Sequence, residues 1–412
     1  MVDWATLPTD ILVLIAERLE FFEDFIVFCV VCKSWRSVTS ILGKSRTLPP
    51  RFPWVMLTDI AEKNYPKVTE DIDSRDLLVK EVEKNDHIEG MNKRRFFSFS
   101  TSKIYEFELP EATRKKCLGV SYGWLMTVGY DLQINLLHPF TRQQIAMPHM
   151  LSFNDQYNYD KDLKPQKFVD SFVIKAVMSS NPQNNCNEDC FILAIYGECS
   201  VLAFARPRDE IWTNIEVTSR SFDDVIYYKE NFYAVDCHGD VFVCDINNEN
   251  GPKATPIART PNKFCDMFHK YLVESSGILL LVIRVGKGEY FGNENEKDID
   301  RPFYYTVGFY IFKLEECHGE RSSHNYPYKM TRVDSLGDKS LFVGYNASTS
   351  LPSSKYVRAN CIYFSDDNLE PHSILPYGGG HDAGIFDVES GSITMHYASK
   401  FMSHLTPPIW FI

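Results

Sequence analysis

The sequence predicts a mainly β protein that begins with a short helical segment. Two observations predict this class: apolar residues recur at helical spacing over about residues 4–43, and residues 96–412 hold short runs rich in Val, Ile, Phe and Tyr. These runs are bounded by Gly, Asn, Asp or Pro, as antiparallel strands usually are. A chain of 412 residues is longer than one small hydrophobic core can support. Several domains, or one large domain built from repeats, are therefore expected.

Three helices are predicted in residues 1–45. Pro8 suits the first turn of a helix, where its missing N–H costs nothing. A second helix is expected near Glu23 and Asp24, whose charges favour a helix N-terminus. The third contains Trp35 and ends near Gly43. The first helix carries its apolar side chains along one face: Ile11, Leu12, Ile15 and Leu19.

Two different segments connect this helical module to the β region. Residues 46–58 contain an isolated apolar run, Pro53-Trp54-Val55-Met56-Leu57, which predicts one connecting strand. Residues 59–95 are crowded with mixed charges and predict a mobile insertion, with a short helix over residues 74–84. The remaining residues, 96–412, form the predicted β domain.

A weak repeat runs through the β domain. Glycine precedes an alternating strand at Gly129, Gly239, Gly308 and Gly384, and the spacing fits one or two units of roughly 40 to 55 residues. This period is typical of a β-propeller blade, although a sandwich or barrel also contains strands bounded by glycine. We therefore expect a β-propeller-like domain of about six blades, within a range of five to seven. Strands at residues 53–57 and 408–412 would pair to close the ring.

Charge and cysteine content exclude several classes of protein. Lys and Arg number 43 against 55 Asp and Glu, and a net charge of -12 has the wrong sign for binding nucleic acid. The 11 cysteines form no dense framework, which indicates a reduced intracellular chain without disulfides. The longest apolar runs, residues 25–32 and 277–283, are too short to span a membrane.

The run Leu7-Pro8-Thr9-Asp10-Ile11-Leu12, followed by Val31-Cys32-Lys33-Ser34-Trp35-Arg36, resembles the F-box. The resemblance implies docking on a Skp-type adaptor and, through it, on a cullin and a RING subunit. Because a module of about 40 residues cannot cover such an apolar stripe alone, a partner is expected to cover it. The residues implied in adaptor binding are Leu7, Pro8, Ile11, Leu12, Ile15, Leu19, Val31, Cys32, Trp35 and Arg36.

The rest of the chain resembles a plant F-box family with a β-propeller-like C-terminal domain that was long of unknown function. The resemblance rests on short motifs that include Gly123-Trp124-Leu125, Ile211-Trp212-Thr213 and Pro408-Ile409-Trp410-Phe411. It implies a receptor subunit of an SCF-type ubiquitin ligase that binds a protein target for ubiquitination, in the nucleus and/or cytoplasm. It implies no catalytic residue, cofactor or metal, and neither the target nor its binding residues are identified by it.

Other motifs leave alternatives open. Gly119-Val120-Ser121-Tyr122-Gly123 matches the G-x-S-x-G pattern of a hydrolase, but a strand is predicted after it where that chemistry needs a helix. An adaptor-bound scaffold without a degradation target is the second alternative. Cys29 with Cys32, and Cys186 with Cys190, are interpreted as free thiols because neither pair has a matching second ligand pair. Asn346-Ala347-Ser348 matches a glycosylation site that an intracellular chain would not use.

Overall fold

A computed structural model describes most of the chain and confirms the predicted fold class: a helical N-terminal segment followed by a six-bladed β-propeller. The helices are α1 (Thr9–Glu17) and α2 (Lys33–Leu42), and residues 24 and 27–29 between them are also helical. The described residues are 4–19, 24, 27–29, 31–42, 54–57, 93–99, 101–113, 115–139, 141–154, 169, 172–182, 190–218, 221–261, 269–288, 304–317, 326–367, 382–395 and 408–411.

The first helix begins one residue later than predicted. Pro8 is the N-cap, with φ -57° and ψ 144°, and its carbonyl accepts a hydrogen bond from the Leu12 N–H at 3.1 Å. The extended ψ explains why Pro8 lies outside the first turn, since a helical residue needs ψ near -42°. Leu12 and Ala16, four residues apart, form the buried face of α1.

The first three blades are antiparallel sheets of four strands. Their inner strands are β25, β4 and β8, and the sheet orders are β25-β1-β2-β3, β4-β5-β6-β7 and β8-β9-β10-β11. The strands are β1 (Trp54–Leu57), β2 (Lys93–Ser98), β3 (Lys103–Glu108), β4 (Lys116–Gly119), β5 (Leu125–Val128), β6 (Ile134–Leu137), β7 (Gln144–Ala146), β8 (Val173–Met178), β9 (Ile192–Tyr196), β10 (Val201–Ala205), β11 (Thr213–Asn214) and β25 (Ile409–Phe411).

Blades 4 and 5 repeat this plan, whereas blade 6 has five strands in the order β21-β20-β22-β23-β24. In blade 6, β20 runs parallel to β22 and antiparallel to β21. The strands are β12 (Phe222–Tyr228), β13 (Asn231–Asp236), β14 (Val241–Asp245), β15 (Lys253–Ala258), β16 (His269–Ser275), β17 (Ile278–Gly288), β18 (Tyr304–Glu316), β19 (Tyr328–Val333), β20 (Lys339–Val343), β21 (Thr349–Pro352), β22 (Cys361–Phe364), β23 (Gly384–Asp387) and β24 (Ile393–Met395).

The inner strands form the ring. Strand β4 contacts β25 and β8, β12 contacts β8 and β16, and β16 contacts β21. The predicted closure by terminal strands is confirmed, because β25 pairs antiparallel with β1 and Val55 lies opposite Trp410. The predicted glycine repeat marks the third strand of blades 2, 4 and 5, although Gly308 lies inside β18 instead of preceding it. Gly384 is the first residue of β23, the fourth strand of blade 6 counted from the centre.

A short loop of blade 6 fills the centre of the ring. We call residues 344–348, between β20 and β21, the central loop. Gly344 accepts a hydrogen bond from Lys175 Nζ at 3.3 Å, and the Tyr345 hydroxyl donates to the Val173 carbonyl at 3.4 Å. Asn346 is 3% exposed and accepts from the Trp410 N–H. The loop therefore joins blade 6 to blades 1 and 3, a contact that no sequence pattern predicted.

Part of the predicted insertion belongs to blade 1. Residues 58–92, including the predicted helix at 74–84, lie outside the described residues. Strand β2 begins at Lys93, so it includes the last three residues of the predicted insertion, 93–95. The Arg94 side chain is 6% exposed and donates to the Ala112 carbonyl at 2.6 Å. This hydrogen bond explains why a basic residue is buried there instead of solvated.

Buried side chains of the helical segment and of blades 1 and 2 form one continuous hydrophobic cluster. The helical segment contributes Leu12, Phe28 and Val38, and blade 1 contributes Trp54 and Phe96 among others. The segment is therefore packed with the propeller. No helix in the described part of the chain combines the length and the apolar composition needed to cross a membrane.

Candidate adaptor-binding surface

Large apolar side chains of the helical segment face solvent. Trp4 is 62% exposed, and Val27 and Val31 are each 52% exposed. Because soluble proteins rarely expose contiguous apolar surface, a group of such side chains on one small module indicates an interaction site. We call the following five residues the N-terminal apolar surface: Trp4, Ile11, Leu14, Val27 and Val31.

Most of the predicted adaptor-binding residues are at least partly accessible, but Leu12 is not. Pro8, Ile11 and Val31 are exposed, whereas Leu12 is 1% exposed. Leu12 packs in the hydrophobic cluster that the helical segment shares with the propeller, and its role in adaptor binding stays a prediction. The remaining six predicted residues are partly buried: Leu7, Ile15, Leu19, Cys32, Trp35 and Arg36.

Trp35 holds the start of the segment in place. Its Nε1–H donates a hydrogen bond to the Trp4 carbonyl at 2.9 Å, and its ring centroid lies 4.6 Å from that of Phe28. Arg36 Nε donates to the Cys29 carbonyl at 3.3 Å. Trp35 therefore positions Trp4, a member of the N-terminal apolar surface, and Arg36 links the second helix to the helical residues 27–29.

Three exposed residues of this surface were missed by sequence reasoning. Leu14 and Val27 are exposed apolar residues of helical segments, and Trp4 precedes the first helix. Helical periodicity predicts a single apolar stripe along the first helix, and Leu14 lies beside that stripe. A search for apolar residues outside the stripe would have found Leu14, because a core needs only one face of a helix.

The cysteine pair on this segment does not favour zinc. Burial raises the pKa of the Cys29 thiol to about 12, against a weaker opposing effect of Arg36. Zinc binds the thiolate, so a buried thiol with a raised pKa is a poor ligand. Within the described ranges, no three His, Cys, Asp or Glu side chains are grouped as metal ligands. Cys186 lies outside those ranges.

Ser121 occupies a turn between two strands. Its hydroxyl oxygen accepts a hydrogen bond from the Met178 N–H at 3.2 Å, which joins blade 2 to blade 3. Tyr122 and Gly123 follow with φ of 60° and 72°, and the chain then enters β5. A nucleophile elbow leads from a strand into a helix. The predicted strand after Ser121 is confirmed, so the local structure differs from that of a hydrolase elbow.

A buried ionic network joins blades 5 and 6. Arg284 Nη1 lies 2.8 Å from Asp367 Oδ1, and Arg284 Nη2 lies 2.9 Å from Asp382 Oδ2. Arg284 Nε donates to the Thr306 hydroxyl at 2.7 Å. Burial would lower the pKa of Arg284, but Tyr271, Asp367 and Asp382 outweigh it, so the guanidinium stays charged.

The sequence was compared with protein-family models and curated proteins. The F-box domain model matches residues 4–45, and the KIB1-4 beta-propeller model matches residues 96–387. The Arabidopsis thaliana F-box protein SKIP23 is 26% identical, over 100% of this chain and 96% of its own length. F-box protein KIB3 from the same plant is 21% identical, over 96% of this chain and 78% of its own length. The chain belongs to the KIB1-4 beta-propeller family of plant F-box proteins.

Proposed function

We propose that this protein is the substrate-recognition subunit of an SCF-type ubiquitin ligase. The observation that carries the proposal is the N-terminal apolar surface on an F-box. Burying one large apolar side chain contributes about 1.5–3 kcal/mol, so a few of these residues suffice for a stable contact. A Skp-type adaptor would cover this surface and link the chain to a cullin and a RING subunit.

In this proposal the chain supplies geometry and no chemistry of its own. The conjugating enzyme carries the ubiquitin thioester, and the propeller holds a protein target near it. Holding the two reactants together raises their effective concentration, which accelerates transfer. The shared hydrophobic cluster of F-box and propeller supports this role, because it limits movement of the target relative to the adaptor.

A pull-down with a purified Skp-type adaptor tests the proposal. We expect the full chain to bind and the double variant Ile11→Asp, Val31→Asp to bind at least tenfold more weakly. Both side chains are exposed, so the substitutions should preserve the fold. Ile104→Asp, at an exposed position on β3, is the matched control and should bind normally. An unmodified chain that fails to bind, or a double variant that binds as well, refutes the proposal.

Two alternative activities have separate tests. A hydrolase that uses Ser121 would lose its activity in Ser121→Ala, whereas a receptor would be unaffected. A scaffold without a degradation target would leave target abundance unchanged in the double variant Ile11→Asp, Val31→Asp, whereas the same variant of a receptor should raise the abundance.

We also propose that the protein resides in the nucleus and/or cytoplasm. Fluorescence microscopy of a tagged chain tests this, and exclusive localisation elsewhere refutes it.

A further inference from the structure

The turn between β14 and β15 contains Asn250-Gly251, the one place in the 412-residue sequence where glycine follows asparagine. Both residues are exposed, and every residue from 221 to 261 is described. Gly251 has a φ of 103°, a backbone conformation that residues with a side chain rarely adopt. The shape of the turn therefore requires glycine directly after Asn250.

The turn holds the backbone around Asn250 and leaves its side chain unattached. Asp245 Oδ1 accepts a hydrogen bond from the Asn247 N–H at 3.1 Å, and Asn248 Oδ1 accepts from the Asn250 N–H at 3.0 Å. The Gly251 N–H donates to the Asn248 carbonyl, also at 3.0 Å. Among the described residues, the Asn250 side-chain amide forms no hydrogen bond, so it is free to rotate towards the Gly251 nitrogen.

We propose that Asn250 is a site of spontaneous deamidation. The Gly251 nitrogen loses its proton to hydroxide and bonds to the side-chain carbonyl carbon of Asn250. The bond from that carbon to the amide nitrogen breaks, and the nitrogen takes up a proton and leaves as ammonia. One water molecule then opens the resulting succinimide ring to give aspartate or isoaspartate. The reaction needs no oxidant or reductant.

The local structure favours ring closure at this position. Glycine has no Cβ to obstruct the approach of its nitrogen, and its backbone tolerates the conformation that the ring imposes. Only the hydrogen bond from Gly251 to Asn248 has to open first, and exposed backbone hydrogen bonds in loops open readily.

The products would alter the contact between blades 3 and 4. Isoaspartate lengthens the main chain of the turn by one carbon atom just ahead of Pro252, whose carbonyl accepts the Glu216 N–H at 2.8 Å. The Glu216 carbonyl accepts the Ala254 N–H, also at 2.8 Å. Either product also adds a negative charge to a turn that already carries Asp245 and Glu249. Deamidation should therefore loosen the link between Glu216 and β15.

Prolonged incubation of the full chain at physiological pH and temperature, followed by peptide mass spectrometry, tests the proposal. We expect the amide of Asn250 to be lost and isoaspartate to form, which labelling by an isoaspartyl methyltransferase detects. Asn231 is the internal control, because it is also exposed but precedes Phe232 and donates to the Lys229 carbonyl at 3.2 Å. Its amide should be retained.

Asn250→Gln is the matched variant for the structural effect. Its longer side chain would have to close a larger ring, so it should keep its amide throughout the incubation. Hydrogen exchange at Glu216 and Ala254 should then be about fivefold faster in the incubated unmodified chain than in the incubated variant, because a hydrogen bond is weakened. Freshly prepared samples of the two should exchange alike.

Three outcomes would overturn the inference. If Asn250 keeps its amide as long as Asn231 does, the turn is not a deamidation site. If aspartate forms without isoaspartate, the reaction does not pass through a succinimide, because that ring opens at both of its carbonyls. If the unmodified chain deamidates but exchanges like Asn250→Gln at Glu216 and Ala254, the effect on the contact between blades 3 and 4 is refuted.

Discussion

The side-chain oxygen of Asn346 accepts a hydrogen bond from the backbone N–H of Trp410 at 3.1 Å. Asn346 belongs to the central loop, and Trp410 belongs to the strand that closes the ring. The Trp410 indole N–H also donates to the Val343 carbonyl, at 2.9 Å. Closure therefore depends on the centre of the ring as well as on the pairing of β25 with β1. The same contact buries the asparagine of the glycosylation motif, so that motif has a structural role.

Asn346→Ala should destabilise the propeller. The substitution leaves a buried backbone N–H without its acceptor, which costs about 1–3 kcal/mol in the free energy of unfolding. Urea unfolding monitored by tryptophan fluorescence measures the change. Asn250→Ala is the control, since Asn250 is exposed in the turn after β14, and it should change the stability by less than about 0.5 kcal/mol. Equal stability of Asn346→Ala and the unmodified chain would show that the loop contributes nothing to closure.

Arg284→Leu should be more damaging. It leaves the carboxylates of Asp367 and Asp382 buried without their cation, a loss of about 3–5 kcal/mol. Arg259→Leu is the matched control, because Arg259 pairs with Asp240 at 3.1 Å but is 58% exposed, and an exposed pair contributes at most about 1 kcal/mol. Thermal unfolding measures both. If both substitutions lower the stability by a similar amount, the buried ion pairs of Arg284 do not stabilise the fold more than an exposed pair does.

The stability should depend on the ionisation of Asp367. Burial opposes ionisation, but interactions with His269 and Arg284 and a hydrogen bond from Tyr271 outweigh it and lower the pKa of Asp367 below its usual value of 3.8. A carboxyl with a lowered folded-state pKa contributes stability above about pH 4, and this contribution is lost as the pH falls through the folded-state pKa. Asp367→Asn should therefore be less stable than the unmodified chain at pH 6, and the difference should narrow below pH 4. Urea unfolding across this range measures it, and a difference that widens in acid contradicts the prediction.

The strands and the closing pair could be predicted because their signals are local. Runs of Val, Ile, Phe and Tyr mark many of the longer strands, and residues 53–57 and 408–412 are apolar runs at the two ends of the β region. The glycine repeat marks the third strand of blades 2, 4 and 5 and the fourth strand of blade 6. These features could be predicted because the residue types within each short segment are enough to indicate a buried strand.

The central loop could not be predicted in this way. Tyr345 contacts Val173 and Gly344 contacts Lys175, and each pair is about 170 residues apart in the sequence. Nothing in residues 344–348 indicates that they lie inside a ring. The parallel pairing of β20 with β22 also could not be predicted from local signals. It arises because β21 pairs with the other edge of β20, so β22 is left to pair with β20 in the parallel direction. Contacts between residues far apart in the sequence determine the position of the central loop and the strand order of blade 6.

The position of the F-box segment was predicted, but the exposure of its individual residues was not. The F-box motif located the helical segment, yet periodicity placed Ile11 and Leu12 on one stripe. A helical stripe is broader than the buried face of a short helix, so its edge remains in solvent. In the structure Ile11 is 39% exposed and Leu12 is 1% exposed.

These adjacent residues therefore give the sharpest test of the site. Leu12→Ala removes a core side chain and should lower the stability of the helical segment by about 2–5 kcal/mol. Ile11→Ala should leave the stability nearly unchanged and weaken adaptor binding about tenfold, because its side chain would be buried only in the complex. Thermal unfolding and adaptor affinity, measured on the same preparations, separate the two effects. If Ile11→Ala binds normally while folded, the adaptor contact lies elsewhere on the segment, and the exposed residues Trp4 and Val31 become the positions to substitute.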